Sequence, residues 1–250
     1  WEDREREAAG RMEQQRLDKV LAGQGTSSRR EVKEWIRKGL VKVNGQVIRA
    51  ADAKILPTDR LEVNGRPVDR REHLYLMLNK PLGVVSASRD DRDTTVVELV
   101  PEELRRKNLF PAGRLDKDTS GFVLITDDGA FAHDILSPRR HVEKEYLVRL
   151  DRPLTQEMVR RFAEGMAIGE DKCRPARLLP EADPLEGRVI LQEGMYHQIR
   201  RMFAACGATV TALKRIRMGG LPLDPTLRPG ECRELTPGEV EQIKAGRRPE

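Results

Sequence analysis

Apolar positions along the chain fall into short groups at helix or strand spacing. Leu17, Val20 and Leu21 recur at i, i+3, i+4, which predicts a short amphipathic helix ended by Gly23 and Gly25. Ser28-Arg29-Arg30-Glu31 fits a capping box, in which serine hydroxyl and glutamate carboxylate satisfy exposed amide donors. In the helix it opens, Val32, Trp35 and Ile36 share one sector about 100° wide, so Trp35 is read as core. Arg29, Arg30, Lys33 and Arg37 share another, so one side can pack while the other presents four cations. Beyond Gly39, residues 40–43 and 46–48 flank Asn44-Gly45, a two-residue hairpin signal. Asn64-Gly65 follows the alternating run 60–63.

The rest of the chain alternates strands with turns and a few helices. Strands are expected at 74–78, 84–85, 122–126, Lys144–Leu150 and 189–191. Helical spacing runs over 154–166 through Met158, Val159 and Phe162, and a further helix starts at Gln198. No βαβ series with a glycine-rich phosphate loop occurs, which disfavours a nucleotide-cofactor fold. The expected fold class is α+β: a small α/β module followed by a body with a mixed or mostly antiparallel sheet. Residues 1–14 read as a charged extension, 15–70 as the module and 73–250 as the body. A short charged linker near 69–72 allows reorientation between them.

Composition narrows the class. The longest apolar runs, 74–78 and 202–206, are five residues, too short for a membrane span of about 20 or a signal-peptide core of about 7–15. Cys173, Cys206 and Cys232 form no CxxC, and the four histidines do not cluster, so neither a disulfide framework nor a metal site is expected. A cytoplasmic monomer is the expectation. The net charge of +5 is unevenly placed. Residues 15–66 hold 12 Lys/Arg against 6 Asp/Glu, while the remainder is almost balanced. Such asymmetry suggests a polyanion-binding module on a nearly neutral body.

Two polar stretches carry candidate chemistry. Gly113-Arg114-Leu115-Asp116-Lys117-Asp118-Thr119-Ser120-Gly121 is bracketed by glycines and precedes a buried-looking strand, a setting where a carboxylate can act as nucleophile or base. Ordinary turn chemistry explains the same residues. Glu193-Gly194-Met195-Tyr196-His197-Gln198-Ile199-Arg200-Arg201 supplies arginines, and a cation within about 4–6 Å lowers an aspartate pKa by about 1–3 units.

The segment from Arg16 to Ile48, RLDKVLAGQGTSSRREVKEWIRKGLVKVNGQVI, resembles the S4 RNA-binding domain. NKPLGVV, GRLDKDTSGFVLITDDG, EKEYLVRL and EGMYHQIRRMFAACG, in that order, closely resemble the RsuA-type ribosomal RNA pseudouridine synthases. The resemblance runs from about Arg16 to Leu235. Residues 137–141 and 219–224 look more like the branch acting on small-subunit (16S) RNA than those acting on large-subunit (23S) RNA.

The resemblance implies isomerisation of a uridine in ribosomal RNA, free or in an assembly intermediate, without cofactor or metal. Asp116 matches the essential aspartate, which the family's mechanisms use as nucleophile or as base at the ribose 2′ carbon. Tyr146 matches the tyrosine that stacks on the target base, and Arg200 the basic residue that pairs with the aspartate. Ile199 matches the apolar wall, and Arg114 the arginine that holds RNA around the extruded nucleotide. The cation stripe Arg29, Arg30, Lys33 and Arg37 would contact RNA phosphates. A 23S-directed synthase, a non-catalytic S4-type assembly factor and a nucleoside hydrolase are the alternatives.

Overall fold

The computed structural model describes residues 14–24, 27–68, 70, 73–137 and 142–245. The expected N-terminal extension (except Gln14), Gly25, most of the linker and residues 138–141 lie outside these. The chain divides into two compact units, Trp1–Glu72 with Arg105–Asn108, and His73–Leu104 with Leu109–Glu250.

In the first unit, strand β1 (Gln15–Arg16) leads directly into helix α1 (Leu17–Gly23), and helix α2 follows at Arg29–Arg37. Leu17, Val20 and Leu21 are buried against Val32 and Ile36, with Trp35 packed beside them. The capping box forms as the sequence requires. The Ser28 hydroxyl accepts from the Glu31 amide at 3.3 Å, and the Glu31 carboxylate accepts from the Ser28 amide at 2.7 Å. A four-stranded antiparallel sheet follows, built from β2 (Val41–Val43), β3 (Gln46–Val47), β5 (Leu61–Val63) and β6 (Arg66–Pro67) in the order β3-β2-β5-β6. β4 (Lys54–Ile55) pairs with β1. Asn44 and Asn64 adopt φ of 51° and 52° ahead of their glycines, the conformation a tight hairpin turn demands.

The second unit is built on one large sheet. Its strands are β7 (Tyr75–Lys80), β8 (Phe110–Ala112), β9 (Ser120–Thr126), β10 (Lys144–Leu150), β13 (Arg177–Pro180), β14 (Glu186–Leu191), β15 (Val210–Met218), β16 (Leu221–Pro222) and β17 (Cys232–Glu234). The main path runs β13-β14-β10-β15-β9-β7-β17. All of its pairings are antiparallel except β15–β9, which is parallel, so the sheet is mixed. A small hairpin, β11 (Met166–Ile168) and β12 (Asp171–Cys173), stands apart from it.

Helices cover both faces. Met158 and Phe162 of α4 (Gln156–Glu164) and Ile199, Met202 and Phe203 of α5 (Gln198–Ala205) pack with Val148, Val189 and Leu213. Phe131 and Ile135 of α3 (Gly129–Leu136) and Val240 and Ile243 of α6 (Pro237–Ala245) pack with Met77, Phe122 and Leu124. Strands buried on both faces read as unbroken apolar runs, which is why 74–78 and 122–126 were conspicuous in the sequence.

Two expectations change, and one strand is unanticipated. The helix expected over 154–166 ends at Glu164, because Gly165 stops it and Met166 begins β11. Residues 84–85 form no strand; Val85 makes a single bridge to Thr95 after the turn at Gly83. β15, at the centre of the sheet, carries Lys214, Arg215 and Arg217, which hid it from a hydrophobic reading.

Candidate active site

The 113–121 loop enters the sheet at β9, and its glycines have a structural cause. Gly121 adopts φ +105°, and a Cβ there would collide with the backbone of Arg215 on the parallel neighbour β15. At Gly113, with φ +80°, a Cβ would stand 3.1 Å from the Met218 methyl. Both ends of the loop are therefore pressed against β15.

Two buried cations complete the hold. Arg215 is 1% exposed. Its guanidinium donates to the carbonyls of Phe122, at 2.7 Å, and Gly113, and to the Tyr146 hydroxyl at 3.4 Å. Lys80, at the end of β7, is wholly buried. Its ammonium donates to the carbonyls of Thr119 at 2.7 Å, Pro81 at 2.9 Å and Lys117 at 3.4 Å. Burial pushes the Lys80 pKa down to about 8, while the carboxylates of Asp118 and Asp116 pull the other way. Ser86 adds a third fastening, its hydroxyl donating to the Leu115 carbonyl at 2.8 Å and accepting from the Leu115 amide at 3.0 Å.

So held, the loop turns sharply, with the Thr119 amide donating to the Asp116 carbonyl at 3.1 Å. Asp116 is left partly exposed on the wall of a cleft of about 840 Å³. Arg114, Tyr146, Ile199 and Arg200 line the same cleft, so these five expected residues come together. Tyr146 is 8% exposed and packs in the same apolar cluster as Ile199, leaving the cleft an apolar floor beside a carboxylate. Its ring also faces the Arg215 guanidinium, 5.9 Å from the centroid.

The expected pairing of Arg200 with Asp116 is corrected. Arg200 reaches Asp118, two residues on, at 3.1 Å from its carboxylate and 3.0 Å from its carbonyl. After the turn it is Asp118, rather than Asp116, that lies within reach of the Arg200 guanidinium, while Asp116 lies beside His197 at the N-terminus of α5. Arg200 also donates to the Val210 carbonyl at 3.3 Å, and its Nε is buried with no partner among the described residues. The cation nearest Asp116 is instead His197 when protonated, with Nε2 at 3.6 Å from Oδ1.

Sequence reading missed Lys80 and Arg215, because nothing local marks a charged residue that will be buried. Nor does spacing along the chain mark His197 as a neighbour of Asp116. Lys144, two residues before Tyr146, is a further buried cation, its pKa pushed down to about 7 by burial and then by the nearby Arg215 charge. Among the described residues no group of three or more His, Cys, Asp or Glu side chains could hold a metal ion.

The cation stripe lies in the other unit. Arg29, Arg30, Lys33 and Arg37 are all exposed on α2, and none is in an ion pair among the described residues.

Comparison with known proteins adds to this geometry. The family model for RNA pseudouridylate synthase matches residues 74–205, and that for the S4 domain matches 15–61. The chain is 42% identical to ribosomal small subunit pseudouridine synthase A of Escherichia coli (strain K12) over 231 residues, 91% of this chain and 99% of that protein. It is 39% identical to ribosomal large subunit pseudouridine synthase B of Bacillus subtilis (strain 168) over 236 residues, 92% of this chain and 96% of that one. A crystal structure of a pseudouridylate synthase superposes with a TM-score of 0.64 at 37% identity, covering 91% of this chain and 99% of that one.

Proposed function

The chain belongs to the RNA pseudouridine synthase family, in the branch with an N-terminal S4 domain, and from that premise we propose that it isomerises a uridine of 16S ribosomal RNA with Asp116 as the reacting group. Its substrate is RNA and its reaction is an isomerisation. The N1–C1′ bond breaks, the uracil turns, and C5 joins C1′, so the C5 hydrogen leaves as a proton and N1 gains one. No group is transferred and no electrons are exchanged.

The observation carrying the assignment is Asp116 on a loop fastened by Arg215, Lys80 and Ser86, facing a cleft that Tyr146 and Ile199 floor. The reacting carbon is inaccessible in stacked RNA, so the nucleotide must be extruded. Tyr146 offsets part of that cost, because base–aromatic stacking is worth about 1–3 kcal/mol. Its hydroxyl accepts from Arg215, a contact that supports a role for it in proton transfer at the base. Ile199 walls the base, Arg114 holds the backbone at the rim, and Arg200 positions the loop through Asp118.

In this proposal residues 15–70 bind and 73–250 catalyse. Arg29, Arg30, Lys33 and Arg37 meet phosphates, which gives affinity without sequence reading. The proposed catalytic groups line one cleft of one chain, which supports a monomer as the working unit, acting in the cytoplasm on ribosomal RNA or an assembly intermediate. No described helix is long and apolar enough to cross a membrane.

The test is to incubate the protein with 16S and 23S transcripts separately and map pseudouridine by carbodiimide-dependent reverse-transcription stops. A single new stop in 16S RNA is expected. Conversion of 23S RNA alone would move the target to the large subunit, and no stop in either transcript or in the corresponding subunit assembly intermediates would overturn the assignment.

A further inference from the structure

Leu40, Val47, Leu82 and Tyr196 are the large apolar side chains that stand exposed on the described surface. The two most exposed, Leu82 at 65% and Tyr196 at 75%, both line the cleft that holds Asp116. Tyr196 does not stand alone. Its ring lies nearly parallel to the His197 imidazole, with centroids 3.9 Å apart and planes at 15°. One face of the phenol is therefore covered, and its high exposure leaves the other open.

The backing ring is itself held in place. His197 immediately precedes α5, as its N-cap residue, with φ 50° in the left-handed region. The other described non-glycine residues with positive φ, Asn44, Asn64 and Asn108, are asparagines, whose short amide side chain suits that conformation. A non-glycine residue in this conformation beside the Asp116 carboxylate is of the kind that collects at functional sites. His197 also contacts Asp116, so the two stacked rings are tied to the catalytic loop.

We propose that Tyr196, backed by His197, is a stacking platform for an unpaired nucleobase that flanks the extruded uridine, with Leu82 as a second apolar contact at the rim. The proposal rests on the RNA-substrate reading above. Extruding a nucleotide uncovers a face of each neighbouring base, and an open aromatic ring at the cleft mouth can cover one of them. Every base has such a face, so this subsite takes an unpaired base without reading its hydrogen-bonding edge. It is distinct from Tyr146, which is buried on the cleft floor beneath the target base.

The experiment uses 16S and 23S transcripts carrying [5-³H]uridine, whose tritium is released when C5 joins C1′. KM and kcat are read on whichever RNA the unaltered protein converts, and filter-binding affinities are read on the same transcripts. Tyr196→Phe and Tyr196→Trp are expected to stay within about twofold of the unaltered protein, since the stack needs a ring and no hydroxyl. Tyr196→Ala and Tyr196→Leu are expected to raise KM and Kd by roughly 5- to 150-fold, the range that base stacking spans. Leu82→Ser should raise both by a smaller factor. Unchanged binding in Tyr196→Ala, equal loss in Tyr196→Phe, or full retention in Tyr196→Leu would each overturn the platform. If the unaltered protein releases no tritium from either RNA or from the corresponding subunit assembly intermediates, the catalytic reading fails while the affinities still decide the platform.

Discussion

The cations of α2 and those around the catalytic cleft are the same residue types set to different work. Arg29, Arg30, Lys33 and Arg37 project from the helix into solvent without ion pairs among the described residues. Lys80, Arg200 and Arg215 spend their donors on backbone carbonyls at residues 81, 113, 117, 118, 119, 122 and 210. A solvated cation acts at long range and is screened by salt, so it contributes affinity. A buried cation that satisfies carbonyls acts at contact range and fixes geometry, and removing it orphans its acceptors. Binding and chemistry should therefore come apart under mutation.

The comparison breaks most visibly at the hydroxyl that Arg215 touches. Tyr146→Phe is expected to keep RNA affinity and to lose about 10²–10⁴ in kcat, the usual worth of a positioned proton-transfer group. Equal rates for the two proteins would remove any role for that hydroxyl. Arg215→Met should follow, with kcat down about 10²-fold because the Gly113 carbonyl and Tyr146 hydroxyl lose their common anchor. Its Kd for RNA should stay within a few-fold. A loss in Kd as large as that in kcat would show that Arg215 works on binding. Circular dichroism and thermal melting on the same sample would separate a misplaced loop from a lost fold.

The α2 stripe should give the mirror image. Converting Arg29, Arg30 and Lys33 to Gln is expected to raise KM, to leave kcat at saturating RNA unchanged, and to flatten the slope of log Kd against log salt. Each lost phosphate contact should remove about 0.7–0.9 from that slope. A salt slope equal to the unaltered protein's would take these side chains out of the interface.

The smallest effect concerns stability. Burial holds the Lys144 pKa at about 7, against 10.5 for an ordinary lysine. Between those values the unfolded chain binds a proton that the folded chain does not, so stability rises with pH there. Lys144→Met removes that contribution. The melting temperature of the unaltered protein should gain on the variant's from pH 7 to pH 9, and a constant difference would mean that Lys144 titrates normally.

The sequence was legible where its signals are local. The capping box at Ser28 and Glu31 and the Asn-Gly turns act within a few residues, and all formed as written. Asp116, Tyr146 and Ile199 could be placed in one cleft through the family resemblance, which carries tertiary information that spacing lacks. β15 was not legible, because its charged residues break the apolar pattern and its neighbours β9 and β10 lie far back in the chain. Lys80 illustrates the same limit. Beside Pro81 it reads as a loop residue, yet it ends a strand and is buried, because three carbonyls of distant and adjacent backbone converge on its ammonium. The partner of Arg200 depended on a turn between Asp116 and Thr119 that motif order does not encode.

The most direct test is to measure turnover and RNA affinity on one preparation of Asp116→Asn. The change is nearly isosteric and leaves Arg215, Lys80 and the α2 stripe in place. Tritium release should fall to background while the dissociation constant for the transcript stays within about twofold, since the residues proposed to bind RNA differ from the one proposed to react. Release at the unaltered rate would contradict the account, and so would loss of binding in step with loss of turnover.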